Sequence, residues 1–539
     1  MSSNRLVLPA VLAALAILPS CGSSNGVTNP VAPPSGGFSN SSLNGTYVFS
    51  VSGTDTNGAP YAMVGSFTAN GSGVITGGTL DLNDAAFPSS SPAISPVANS
   101  PISGSSYSVG VDGRGEAKLN TSTPFTSPIV LDFVLQDSSH GLVTEFDTSA
   151  SGSGSLDLQS SGTTLNGSYA FIFSGAFGSS SVSTVGNFTV PSGGGAVTGL
   201  EDFNSEGIPY PGEALSGTVV AGPSSTPATQ LVAASTAFAI TYDVYPIDAS
   251  HLKFIEMDSN GTLSGDAYSQ TSTTVPTGTL AFTLMGFTSS QVVAAGGFMV
   301  TDGEGNITNA STADVNNTGS PSASFVTFSG TYAAAPASSG RSTLNLSSFV
   351  AGTNYAAYPS SGGLLLLDID VGGIMMSGAA LPQSSTANLA VSQGYALNLS
   401  GTNLGGATGS SVEVDDIAEF ATAASGANLT GVTDENYAPE GTPNYGVALS
   451  GNYTAPDSNG RGTLAATAGN NSNSTLNGGF GITYYTVDGS VFPFIETDSG
   501  QVSVGVFLKQ NSGSSSAAAR SHFFVMPRLV RPGAARKRN

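Results

Sequence analysis

The sequence predicts an all-β protein: four tandem antiparallel β-meander units of about 115 residues, each a small up-and-down barrel, with a β-sandwich as the alternative. Three observations predict it. A seven-residue string returns four times without gaps, further landmarks follow each copy in the same order, and apolar side chains between them alternate with period two.

The returning string is YVFSVSG at Tyr47 to Gly53, YAFIFSG at Tyr169 to Gly175, LAFTLMG at Leu280 to Gly286 and YALNLSG at Tyr395 to Gly401. A Gly-x-Phe follows at Gly65 to Phe67, Gly186 to Phe188 and Gly296 to Phe298, with Ala418 to Phe420 as the degenerate copy. Next comes an Asp-x-Asn: Asp81 and Asn83, Asp202 and Asn204, Asp314 and Asn316, Asp434 and Asn436. Three units then carry an arginine in a turn, at Arg114, Arg341 and Arg461, and the second unit has no counterpart. An acidic-x-Asp follows an apolar run near the end of each unit, and each unit closes on a glutamine: Gln159, Gln270, Gln383 and Gln510. The units therefore occupy 43–160, 161–272, 273–386 and 387–511.

Within a unit, Tyr47, Phe49 and Val51 alternate with Val48 and Ser50, and Tyr169, Phe171 and Phe173 with Ala170 and Ile172, so one side of each strand is the more aromatic. ANGSG at Ala69 to Gly73, DGRG at Asp112 to Gly115, DGEG at Asp302 to Gly305 and NGRG at Asn459 to Gly462 mark turns between strands. Seven or eight short strands per unit in immediate succession favour an antiparallel meander, and closure into a barrel removes its edges.

The formal net charge is −22, and between Leu6 and Leu508 the basic residues are Arg114, Lys118, Lys253, Arg341 and Arg461 alone. A surface of that sign repels phosphate backbones, which excludes nucleic acid as a partner for the body of the protein. It attracts divalent cations. The acidic-x-Asp pairs are the candidate ligands, since residues two apart on a strand share a side and Ca²⁺ prefers carboxylate oxygens. They are Glu145 and Asp147, Glu256 and Asp258, Asp368 and Asp370, Glu496 and Asp498. The alternative is structural: each pair ends a strand and its Asp hydrogen-bonds the backbone of the following turn. A third possibility, paired glycosidase carboxylates, sits poorly with four copies in one chain and no Trp to stack a sugar.

His140 and His251 hold equivalent positions, but the third and fourth units have no histidine, so both read as solvent-facing turn residues. GSSNG at Gly22 to Gly26 lacks the strand-turn-helix setting of a nucleophile elbow, and DGEG lacks the helix N-terminus of a phosphate loop.

The first twenty residues have Arg5, an apolar run from Leu6 to Leu18 and a small residue, Ser20, before Cys21, the one cysteine in the chain. That is the form of a secretory signal peptide, too short to span a bilayer. The string LPSC resembles the lipobox of bacterial lipoproteins, matching at Leu18, Ser20 and Cys21 and departing from it at Pro19. The resemblance implies that Cys21 is acylated and becomes the mature N-terminus; a free thiol or an intermolecular disulfide are the other fates open to it. Gly22, where those lipoproteins use Asp for inner-membrane retention, points to the outer membrane or cell surface, with the periplasmic face also open. Residues 21–42 read as a tether rich in Ser, Gly, Asn and Pro, and 512–539 as a basic tail that is either disordered or in contact with anionic lipid headgroups or the acidic repeats. From Leu43 to Gln510 the chain resembles uncharacterised bacterial lipoproteins built from tandem Gly-rich β repeats, and each unit resembles a lipocalin barrel in strand count and length, without the Gly-x-Trp signature.

The functional expectation is a non-enzymatic cell-envelope lipoprotein, held to the membrane by its lipid anchor, whose four units form a spacer and binding array for adhesion or envelope structure toward an envelope or extracellular partner. A barrel-type carrier of a small apolar ligand and a hydrolase of an envelope polymer are the two rivals.

Overall fold

The computed structural model describes residues 37–84, 96–121, 127–161, 165–178, 180–221, 229–235, 239–288, 291–322, 324–349, 351–404, 412–438, 443–468 and 480–512. Cys21, the tether up to residue 36 and the tail from 513 lie outside them. The strands form four antiparallel barrels of eight strands each, and each barrel follows sequence order before its last strand pairs with its first. The first barrel runs from Asn44–Asp55 to Ala150–Leu158, the second from Gly167–Phe177 to Ser264–Ser269, the third from Gly278–Thr288 to Ile374–Pro382 and the fourth from Gly394–Asn403 to Gln501–Lys509. In the first and third barrels the fourth strand is broken in two, as Val97–Ile102 with Ser105–Val109 and as Ser320–Pro321 with Val326–Ala334.

Period two does what pleated geometry requires. Tyr47, Phe49 and Val51 point inward and join one apolar core with Phe67, Leu80 and Phe133, and each other barrel has its own such core. In the second and fourth barrels the Tyr that opens the repeat string stacks on the Phe of the next strand, Tyr169 on Phe188 at 5.4 Å and Tyr395 on Phe420 at 5.2 Å.

The glycine that ends the string has a steric cause. At that point the first strand crosses the last so closely that a Cβ on Gly53 would lie 2.0 Å from the Ser151 carbonyl oxygen, and one on Gly286 would lie 1.8 Å from that of Met375. Closing the barrel thus requires a residue without a side chain here. Gly286→Ala should cost about 2–3 kcal/mol by forcing the closing strands apart, read as a lower urea midpoint, whereas Ala at the open Gly77 should not.

In one place the pairing corrects the sequence alignment. Phe49 faces Gly65 and Phe171 faces Gly186, but Phe282 faces Gly297, so the third-unit counterparts are Gly297 and Met299, not Gly296 and Phe298. Met299 lies in the third barrel's core, whereas Phe298 points outward against Tyr485 of the fourth. A slip of one residue flips a strand's faces, and the Gly-Gly-Phe string offers both registers.

The four barrels form a closed ring. The outer faces of strands one to three of each barrel pack on strands six to eight of the next, in the order first, second, third, fourth and back to first. This contact is head-to-tail, and it closes after four copies within one chain. Each barrel begins and ends at the same end, here the linker end, so the described connecting residues 159–161, 165–166, 270–277 and 383–393 all lie on one face of the ring. Phe38 at the start pairs with the Val111 carbonyl, and Asn511 at the finish with the Gln136 carbonyl, on that same face.

Candidate functional site: the seams of the ring

The recurring landmarks meet at the seams between barrels. Asp-x-Asn lies near the end of the third strand with both side chains on its outer face, as residues two apart must. Asn83 of the first barrel donates from Nδ2 to the carbonyls of Glu256 (2.8 Å) and Gly261 (2.7 Å) in the second. Asn204 reaches Asp368 (2.9 Å) and Ile374 (3.1 Å) in the third, and Asn316 reaches Glu496 (3.0 Å) and Gln501 (2.8 Å) in the fourth. Asn436 closes the circle on Glu145 (2.8 Å) and Ala150 (2.9 Å) of the first. Each Asn thus binds the hairpin carrying the next unit's acidic-x-Asp.

At the linker end the closing glutamines repeat the device. Gln159 Nε2 donates to the Pro246 carbonyl, Gln270 to Gly340 and Pro359, Gln383 to Asn459 and Thr486, and Gln510 to Asp112 and Leu135. Both side chains satisfy buried carbonyls that would otherwise lose water without replacement. Asn436→Ala is therefore expected to cost about 1–3 kcal/mol, measured by urea denaturation, and to leave the individual barrel cores intact by near-ultraviolet circular dichroism.

Four of the five basic residues between Leu6 and Leu508 lie one to a seam. Arg341 grips Asp202 of the second barrel through Nε (2.6 Å) and Nη2 (2.5 Å), and the Tyr358 hydroxyl donates to the same carboxylate. Arg461 grips Asp314 at 2.8 and 2.7 Å, with Tyr485 donating at 3.0 Å. Arg114 divides itself between Asp434 of the fourth barrel (3.2 Å) and its own Asp112 (3.0 Å), and Val134 stands where the tyrosine would be. The second unit lacks the arginine, and its seam uses Lys253 instead: Nζ lies 2.7 Å from Ser155 Oγ, 3.4 Å from Asp157 and 3.2 Å from Asp266. Only Lys118 remains on the surface, beside Glu116.

His140 and His251 are not solvent-facing. His140 Nδ1 is 2.7 Å from Asp157, and His251, 2% exposed, places Nε2 2.7 Å from Asp266 and stacks on Tyr268. Burial alone would raise both carboxyls, but His140 and Lys253 hold Asp157 well below the usual range, and Lys253 and His251 lower Asp266. Each histidine opens its unit's seventh strand just after a turn, and its carboxylate partner comes from the eighth strand paired beside it.

The acidic-x-Asp pairs divide their work. Asp147 accepts Val130 N–H and Ser149 N–H, Asp258 accepts Thr241 and Asn260, Asp370 accepts Asn354, and Asp498 accepts Gly481 and Gly500. Each Asp so ties its turn to the strand beside it. The first acid of each pair is buried. Burial, with the neighbouring Asp adding, pushes Glu256 up to about 9, and burial pushes Asp368 up to about 8. Burial likewise carries Glu145 and Glu496 well above the usual carboxylate range. Each pair thus offers a cation one carboxyl whose ionisation burial opposes and one already engaged by backbone N–H groups. Among the described residues no three His, Cys, Asp or Glu side chains gather as a metal site. Melting curves in Ca²⁺ and in chelator are expected to superimpose; a shift of several degrees would restore the pairs as ligands.

Among the described residues, the interiors of the second and third barrels leave little space. The second holds a cavity of about 20 Å³ among Phe171, Phe188 and Tyr242, and the third one of about 10 Å³ among Phe282, Phe328 and Phe349. Small-molecule pockets span roughly 300–1,000 Å³. Among the described residues no helix is long and apolar enough to cross a membrane.

No family model matches the chain, and no curated protein does. Among solved structures, a mutant of the NanB sialidase from Streptococcus pneumoniae aligns over 90% of this chain and 98% of its own at 8% identity, with a TM-score of 0.11. That score carries no inference about fold or activity.

Proposed function

We propose that the protein is a non-enzymatic, lipid-anchored component of the cell envelope that presents a rigid four-barrel ring as a binding and structural array. The observation that carries this reading is the polarity of the ring. Both ends of the described chain lie on one face with the linkers, so an acylated Cys21 and the basic tail would emerge toward the membrane, and the four latch ends, where each Asn of Asp-x-Asn holds the next barrel's hairpin, would face away from it. The small cavities of the second and third barrels favour an array over a carrier, and seams occupied by structural polar contacts favour it over a hydrolase. Repetition serves avidity when the copies are held in one plane. As a ring the array spans two barrels across, which suits clustering of binding sites better than reach.

Fractionation of cells making the full chain with and without Cys21→Ser tests the anchor. The parent should incorporate an alkyne-tagged palmitate and sediment with membranes, and the variant should do neither. Equal sedimentation of the two would rule out the anchor. Incubation of the ring with envelope polysaccharide should give retention without new reducing ends, and release of sugar would end the non-enzymatic reading.

A further inference from the structure

We infer that the ring has a gate: the seam between the fourth and first barrels opens as carboxyl groups buried in it lose their protons, while the other three seams stay shut. Those three are each bridged by a peptide linker, whereas this one has no covalent bridge and is held by side chains and by the Asn511 N–H on the Gln136 carbonyl. It is also the seam whose arginine is shared and whose tyrosine is replaced by Val134.

Carboxyl groups crowd it. From the first barrel Asp112, Glu116 and Asp132 face it, with Arg114 and the half-exposed Lys118, and Asp147 stands at its latch end. From the fourth come Glu413, Asp415, Glu419 and Asp434, with the Tyr445 hydroxyl. Asp415 accepts the hydroxyls of Ser151 (2.7 Å) and Ser153 (2.8 Å) across the seam. Arg114, its side chain 13% exposed, is the one cation paired across it among the described residues, so closure requires some of the remaining acids to be neutral.

The pH dependence follows. Burial, with Asp112 adding, pushes Glu419 up to about 9, and burial with Asp434 and Glu116 raises Asp132 well above the usual range. A group whose pKa is raised in the closed state stabilises it fully below the open-state value of about 4.5, and that stabilisation is lost as pH rises through about 9. The ring is then shut in acid and open in mild alkali.

The test is energy transfer in the full chain carrying Cys21→Ser, with dyes on Ser108→Cys in the first barrel and Ser450→Cys in the fourth, both exposed positions. A control pair, Ser216→Cys and Thr331→Cys, spans the linked seam between the second and third barrels. Between pH of about 5 and about 9 the first pair should lose at least half its transfer and regain it on acidification, while the control pair holds. Adding Glu419→Gln with Asp132→Asn should keep transfer high throughout. Constant transfer in the parent chain, parallel loss at both pairs, or an unchanged opening pH in the carboxamide variant would each overturn the gate.

Discussion

Replacing Arg341 by Met should destabilise the protein by about 3–5 kcal/mol, because it leaves Asp202 buried at the seam without its counter-charge. Asp202 is fully buried and takes two guanidinium N–H groups, the Tyr358 hydroxyl and the Gly212 N–H; the last two cannot compensate a carboxylate in that setting. Removing Asp202 as well, in a chain carrying Arg341→Met and Asp202→Leu, should recover most of the loss, since much of the penalty belongs to the stranded charge. Lys118→Met, at a surface cation outside the seams, should change the unfolding free energy by less than about 0.5 kcal/mol. Equal effects at Arg341 and Lys118 would show that the seam cation does not hold the ring.

The second large effect is the pH optimum. Glu256 near 9, Asp368 near 8, Glu419 near 9 and Asp81 near 7 are all raised first by burial, so each holds its proton in the fold longer than in the unfolded chain. Their stabilisation is complete below about 3.8 for the two aspartates and about 4.5 for the two glutamates, and is lost as pH climbs to the raised values. Each such group contributes about 1.4 kcal/mol per pH unit while it titrates, so Glu256, Asp368 and Glu419 together should move stability by about 4 kcal/mol per unit in mid-window. Asp157 and Asp266, held below the usual range, act oppositely and weaken the fold only under stronger acid. Denaturation across the pH range should therefore give a maximum at pH of about 4 and a steep decline toward pH of about 9. A flat profile, or a maximum above neutrality, would contradict the burial of these acids.

Fold class, unit count and the inward face of the strands were legible in the sequence because they depend on local alternation and on repetition. The aromatic string, the turn strings and the inter-unit spacing all map onto one eight-stranded barrel. The ring was not legible. Its partners are far apart in sequence, such as Asn436 with Glu145, and neither residue carries a local sign of the other. One trace existed. In AMVGSF and VAAGGFMV the second strand is apolar on both faces, as it must be when one face fills a barrel and the other meets a neighbour. The outward Val64 and Ala294 are indeed fully buried.

The candidate ligand pairs show the limit of pattern reading. Two carboxylates at a spacing of two resemble a cation site, but desolvation keeps one protonated and the turn backbone engages the other. Desolvation is a property of the assembled ring. The same holds for the two histidines and for the five basic residues between Leu6 and Leu508, whose scarcity in so acidic a chain was visible long before their distribution among the seams.

The ring itself is tested most directly by small-angle scattering of residues 37–512 at about pH 5. A closed ring should give a radius of gyration of about 23 Å, as expected for one compact body of this length. Four barrels of about 13 Å each in an open row would exceed about 30 Å, and that value would contradict a fourth barrel seated on the first.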